Sequence, residues 1–171
     1  MWVRSEYAGE LAVLATWLTA LLPWSVSTVS ATPRGMDTSF TVVNIRFVFF
    51  QFHYLFGISL GDQGLGELVQ LVSEIPAFVP DNQVTEGWIW VGAAAVFALV
   101  LALSVVYYAR EDLVEDRSPV DPVRLFGAAF ALLAGLFTVA TAMFFRHQTT
   151  VPVGALFMWV FAAMLLRVER T

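Results

Sequence analysis

The sequence predicts an all-α integral membrane protein: a bundle of four transmembrane helices, five in an alternative topology, with an extracytoplasmic region that holds a short β-rich or interfacial element. Three observations predict it. Hydrophobic residues make up 58% of the 171 and charged residues 13%, against roughly a quarter charged in a soluble domain. Several apolar runs approach the ~20 residues needed to cross ~30 Å of hydrocarbon. The fourteen acids fall almost wholly in loops and termini. A chain of this length with such runs reads as one integral membrane domain over residues 1–171.

The first span is expected at about 7–24, closed by Pro23, with Trp17 and Trp24 as interfacial aromatics. A cleaved secretory signal is the alternative, because Arg4 precedes an apolar core and Ser27, Thr28, Ser30 and Ala31 follow it; Glu6, Glu10 and the two tryptophans argue against cleavage. The second span, 87–108, opens on Trp88 and Trp90, closes on Tyr107 and Tyr108, and holds nothing more polar than Ser104. A charged loop around 110–122 leads to the third span, 123–145, which carries no charge after Arg124. The turn 146–150 is short, and Pro152 stands where a new helix tolerates proline, in its first turn. The last span, 151–166, ends before Arg167 and Arg170, which face water or snorkel.

Residues 25–86 form the extracytoplasmic region, and its aromatic segment 40–60 is the fifth candidate span. It carries Asn44, Arg46, Gln51 and His53. Arg near mid-helix costs about 2.5–3.5 kcal/mol in an insertion reading, and each Phe, Ile or Leu recovers only about 0.3–0.6. On a helix, Asn44 and Gln51 share one face while Arg46 and His53 share the opposite one. As a strand, the polar residues change parity between Arg46 and Gln51, which demands a bulge. Arginine placement admits four spans, with Arg4, Arg110, Arg117, Arg124, Arg167 and Arg170 cytoplasmic, and equally five with the N-terminus outside; the cost of burying Arg46 in the five-span arrangement favours four. Both arrangements put the C-terminus in the cytoplasm and the protein in the cell membrane. Residues 64–73 read as a short surface helix bounded by glycine and Pro76, and Gly64-Leu-Gly66 as a turn, too short for a phosphate loop.

Composition also removes function classes. No cysteine is present, which excludes disulfides, thiolate metal sites and cysteine nucleophiles. All nine basic residues are arginine and the net charge is −5. Exposed carboxylates keep a surface hydrated when salt screens charge over a few ångströms, so this balance reads as adaptation to high salt, with a GC-rich genome as the alternative source of Arg for Lys. Without a basic patch, nucleic acid is not an expected partner.

Small residues recur every four positions on three helices: Ala8, Ala12, Thr16 and Ala20; Ala94, Ala98 and Ala102; Gly127, Ala131 and Gly135. In lipid such faces let backbones approach, either within the bundle or against a second copy or another membrane protein. Candidate chemistry is sparse. No hydrolase signature, His-Glu-x-x-His motif or pair of intramembrane acids occurs, so no catalytic residue and no metal or cofactor is assigned. The candidate functional polar residues are Arg46, His53 and His147.

Leu-Leu-Pro-Trp-Ser at 21–25 followed by Ile-Arg-Phe-Val-Phe-Phe-Gln-Phe-His-Tyr-Leu-Phe-Gly at 45–57 resembles uncharacterised small multi-pass membrane proteins of haloarchaea. The resemblance covers roughly the first third of the chain and implies no activity or functional residue. This sequence departs from that pattern in having Val48 where proline is common, so the resemblance leaves the topology of the segment open. Three functions are carried forward: a non-enzymatic membrane accessory or scaffold; a small transporter or channel component using Arg46 and His53; and a redox or cofactor-binding protein using His53 and His147.

Overall fold

A computed structural model describes residues 7–32, 39–56, 69–111, 114 and 118–168. Helices α1 (Ala8–Leu21), α3 (Val84–Ala109), α4 (Pro122–Phe144) and α5 (Val153–Leu166) form one layer, and the short α2 (Ile75–Phe78) precedes α3. Strands β1 (Ser25–Ala31), β2 (Phe40–Arg46), β3 (Phe50–Phe56), β4 (Val69–Leu71) and β5 (Thr149–Val151) form an antiparallel sheet in the order β4-β3-β2-β1-β5. The fold is therefore mixed α/β, which corrects the all-α expectation.

The span count is corrected as well. Among the described residues only two helices, α3 and α4, are long and apolar enough to cross a bilayer, with mean hydropathies of 2.6 and 2.0 in their most apolar stretches. Helices α1 and α5 have 14 residues each, about 21 Å at 1.5 Å per residue, short of ~30 Å of hydrocarbon. The expected spans at 7–24 and 151–166 fail because strands begin at Ser25 and occupy Thr149–Val151.

Neighbouring helices run antiparallel. Gly9 near the start of α1 lies against Tyr107 near the end of α3, and Gly127 near the start of α4 lies against Leu166 at the end of α5. Asp121 caps α4, its carboxylate accepting from the Val123 amide at 3.0 Å, and Pro122 occupies the first turn. Between the helices Phe97, Phe126, Phe130, Leu133 and Phe137 are fully buried. Trp24, fully buried, joins this core to the sheet, stacked on Phe137 at 4.8 Å and edge-on to Trp90 at 5.3 Å. Trp24, Trp90 and Tyr107, read from sequence as interfacial, are core residues; Trp17, Trp88 and Tyr108 remain exposed.

The 40–60 segment is neither a span nor a bulged strand through residue 56: it is the hairpin β2–β3. The parity change arises because Arg46 and Gln51 are direct cross-strand partners. Phe47 donates its amide to the Phe50 carbonyl at 2.8 Å, closing the turn at Val48 and Phe49. Those residues lack the Asn, Gly or Asp that a tight hairpin favours. Tertiary contacts hold the turn instead: Val48 is fully buried and its carbonyl accepts from Trp90 Nε1 at 2.9 Å, while the Phe49 carbonyl accepts from the Val72 amide at 2.8 Å. Of the surface helix expected over 64–73, residues 69–71 form β4 and 72–73 begin a 3-10 turn, with Pro76 inside α2. The Gly64-Leu-Gly66 turn, Arg4, Arg34, Arg117 and Arg170 lie outside the described residues.

Candidate functional site

Strand register sorts the sheet into two chemically opposite faces. Side chains alternate along a strand, so Ser25 and Ser27 of β1, Asn44 and Arg46 of β2, Gln51 and His53 of β3, Gln70 of β4 and Thr150 of β5 share one face. That face turns inward: Ser25, Ser27, Asn44, Arg46, Gln51 and Thr150 are buried. The other face carries Phe52, Tyr54 and Phe56, the last two exposed. Polar side chains are thus inside and aromatic ones outside, the reverse of an ordinary half-buried sheet.

Beneath the polar face lies a cavity of about 320 Å³, closed on the far side by residues of the 75–83 segment and by Phe144, His147 and Gln148 at the end of α4. Arg46 is 4% exposed. Its Nη1 donates to Ser27 Oγ at 2.6 Å and its guanidinium carbon stands 4.4 Å from the Phe144 ring centroid. Its Nε has no partner, and among the described residues no carboxylate pairs with it. Burial pushes its pKa down to about 10, a desolvation cost on the order of 3 kcal/mol at ~1.4 kcal/mol per unit.

Around it runs a network of amides. Gln148 Oε1 accepts from Ser27 Oγ at 3.2 Å and from Asn44 Nδ2 at 3.4 Å. His53 Nε2 lies 2.5 Å from Gln70 Oε1 and 2.7 Å from Gln51 Nε2. A protonated Nε2 donates to Gln70 and a bare one accepts from Gln51, so the tautomer decides which bond forms. Two acceptors on the same face, Asn44 Oδ1 and Gln51 Oε1, are buried and unpartnered. His147 Nε2 stands 3.9 Å from Glu86 Oε1, whose side chain is buried in the first turn of α3.

Arg46, His53 and His147 all line this one cavity. Arg46 is neither on an apolar helix nor on an outer surface; it ends β2 and points beneath the sheet. The two histidines have separate partners, and among the described residues no group of three or more His, Cys, Asp or Glu is placed to hold a metal. Gln70, Gln148, Ser27 and Glu86 belong to the neighbourhood and carry no distinguishing mark in the sequence, where each reads as an ordinary surface or loop polar residue.

Burial lowers the His53 pKa, the bond to Gln70 opposes this, and the Arg46 charge lowers it further. The imidazole is therefore neutral at pH 7. With the folded value below the unfolded one, the unfolded chain binds the extra proton as pH falls through 6.5, so stability drops there and levels off below the folded-state pKa. The melting temperature of the wild type is expected to fall between pH 7.5 and 5.5 more steeply than that of His53→Gln. Parallel curves would show that His53 is not held neutral.

The small-residue stripes divide by burial. Ala8, Ala12 and Thr16 are fully buried and Ala20 is half-buried. On α3 only Ala94 is buried, and Ala98 and Ala102 face outward. On α4, Gly127 is in contact with Leu166, Ala131 is half-buried, and a Cβ on Gly135 would meet nothing within 4 Å. The sequence period of four drifts off a face that the helix buries at Trp90, Ala94, Phe97, Ser104 and Tyr107.

The chain belongs to a family of unknown function, DUF7549, which matches residues 1–170. No curated protein matches it.

Proposed function

We propose that this protein is a non-enzymatic accessory or scaffold protein of the cell membrane, anchored by the α3–α4 hairpin and presenting its sheet on the extracytoplasmic side. The observation that carries the reading is the apolar character of what the helices leave exposed. Leu99 is 73% exposed, and Val105, Val106, Leu132, Val139, Leu156 and Val160 are each more than half exposed. Only 33% and 44% of the most apolar stretches of α3 and α4 are buried, whereas a soluble protein's core helix is mostly buried. The helices α1, α3, α4 and α5 hold three charged residues, Glu10, Glu86 and Arg124, each in a first turn. Water would not wet such a surface; lipid would.

Arg110, Arg124 and Arg167 stand at the helix ends remote from the sheet, which supports a cytoplasmic location for that end and for the C-terminus. The aromatic filling between helices, with no ionisable group among Phe97, Phe130, Leu133 and Phe137, favours a scaffold over a carrier. The outward Ala98 and Ala102, one turn apart, form the face we assign to a partner helix or a second copy. The acidic, lysine-free composition fits a salt-rich, haloarchaeal setting.

Carbonate extraction of membranes tests the anchor. The wild type is expected in the pellet, and Leu99→Asp, placing a charge near mid-span at a cost of about 2.5–3.5 kcal/mol, is expected to lower the inserted fraction sharply. In the same preparation Asn82→Cys should label with an impermeant thiol reagent in intact cells and Ser118→Cys should not. Recovery of the wild type in the carbonate supernatant, with Leu99→Asp raising soluble yield, would overturn the reading.

A further inference from the structure

We infer that the cavity beneath the sheet is a binding site for a small hydroxycarboxylate, a monoanion seated on the free edge of the Arg46 guanidinium with its hydroxyl donating to one of the two unpaired amide oxygens beside it. The site is built from groups whose needs nothing in the described protein meets. Arg46 is buried, one face lies against Phe144, and Nη1 is taken by Ser27. The Nε edge is left over, with Nε unpartnered, and that edge presents two parallel N–H groups in the geometry that fits a carboxylate. A buried guanidinium with no counter-ion asks for one negative charge, not two.

The neighbouring atoms specify the rest of the ligand. Gln51 is the direct cross-strand partner of Arg46, and Asn44 sits two residues along β2 on the same face. Both end in a buried oxygen with no donor, Gln51 Oε1 and Asn44 Oδ1. Extra anionic oxygens, as on phosphate, would face these acceptors unfavourably, whereas a hydroxyl next to the carboxylate satisfies one of them. The volume of about 320 Å³ is at the small end of ligand sites. Phe144, Ile75 and Val79 give part of the wall an apolar surface for a short carbon chain. The site is built by the sheet, the 75–83 segment and the residues at and just after the end of α4, and it does not depend on membrane insertion.

Calorimetric titration of the purified full-length chain at constant ionic strength, with lactate, acetate, lactamide, phosphate and chloride as probes, tests it. Lactate is expected to bind saturably, acetate about tenfold more weakly for want of the hydroxyl, and uncharged lactamide not at all. Arg46→Met should abolish lactate binding, and Gln51→Leu should erase the preference for lactate over acetate. Should Arg46→Met fail to fold, the Nε–Hε resonance of Arg46 in the wild type serves instead and must shift on addition of lactate. No saturable binding of either carboxylate would mean a water-filled cavity and would overturn the proposal. So would tighter binding of phosphate or chloride than of lactate, or lactate binding that leaves Arg46 unmoved.

Discussion

Gly154→Ala is expected to destabilise the protein by about 3 kcal/mol, a large loss for one added methyl group. A Cβ at Gly154 would stand 2.6 Å from Trp24 Cα and 2.7 Å from the Pro23 carbonyl oxygen. Both are backbone atoms and cannot swing aside as a side-chain tip does. The crossing is also a hydrogen bond, Gly154 donating its amide to the Trp24 carbonyl at 3.1 Å, and Trp24 in turn donates its own amide to the Arg46 carbonyl at 2.8 Å. Pushing α5 away therefore disturbs the helix layer, the Trp24 core and the strand that bears Arg46 together. Two other glycines calibrate the measurement. Gly127→Ala meets Leu166 Cγ at 2.9 Å, a side chain that can rotate, though the Leu166 amide nitrogen at 3.1 Å limits the relief; a cost of about 1–2 kcal/mol follows. Gly135→Ala meets nothing within 4 Å and is expected to be neutral or to stabilise by up to about 1 kcal/mol through helix propensity. Thermal or denaturant unfolding of the three variants reads the order directly, and a Gly154→Ala protein as stable as Gly135→Ala would mean that α5 is not seated on the 23–24 backbone.

Trp90→Ala is expected to cost about 3–5 kcal/mol. The side chain is fully buried, packs edge-on against Trp24 and donates to the Val48 carbonyl at the tip of the β2–β3 turn. Trp90→Phe separates the two contributions, because it keeps most of the ring volume and removes the donor. A buried carbonyl left unpaired costs about 1–3 kcal/mol, so Trp90→Phe should fall between wild type and Trp90→Ala. Its amide exchange should also be fastest in the hairpin, at Phe47 and its neighbours. If Trp90→Phe is as stable as wild type with unchanged hairpin protection, the turn does not rely on the indole.

Both effects concern joints between the helix layer and the sheet, and these joints are where sequence reading stops. The runs that become α3 and α4 are legible because a helix satisfies its backbone within the segment, so a long apolar stretch flanked by polar residues needs no distant partner to be recognised. The same length rule overextended α1 and α5, since the apolar residues just outside them, Trp24 and Val151, belong to core and sheet. Of the small residues spaced by four, Ala8, Ala12 and Gly127 are buried while Ala98 and Ala102 face outward, because a four-residue spacing drifts around a helix of 3.6 residues per turn. The three polar residues chosen from sequence line one cavity, yet Gln70 and Gln148 carry no local mark that separates them from surface glutamines.

By itself the sequence determined that 87–108 and 123–145 form long apolar helices, that charge is confined to their ends, and that thiol chemistry is absent. Those are properties of composition and of order along a single segment. Tertiary structure decided that the aromatic stretch turns back at Val48 and that Arg46 faces Gln51 across the hairpin, and so that the polar side of the sheet is enclosed. A strand gains its hydrogen bonds only from another strand, and here the turn is held by an indole 42 residues away. Which face becomes the inside is consequently set by pairing register and by the helices beneath, and neither is written in the local alternation of residues.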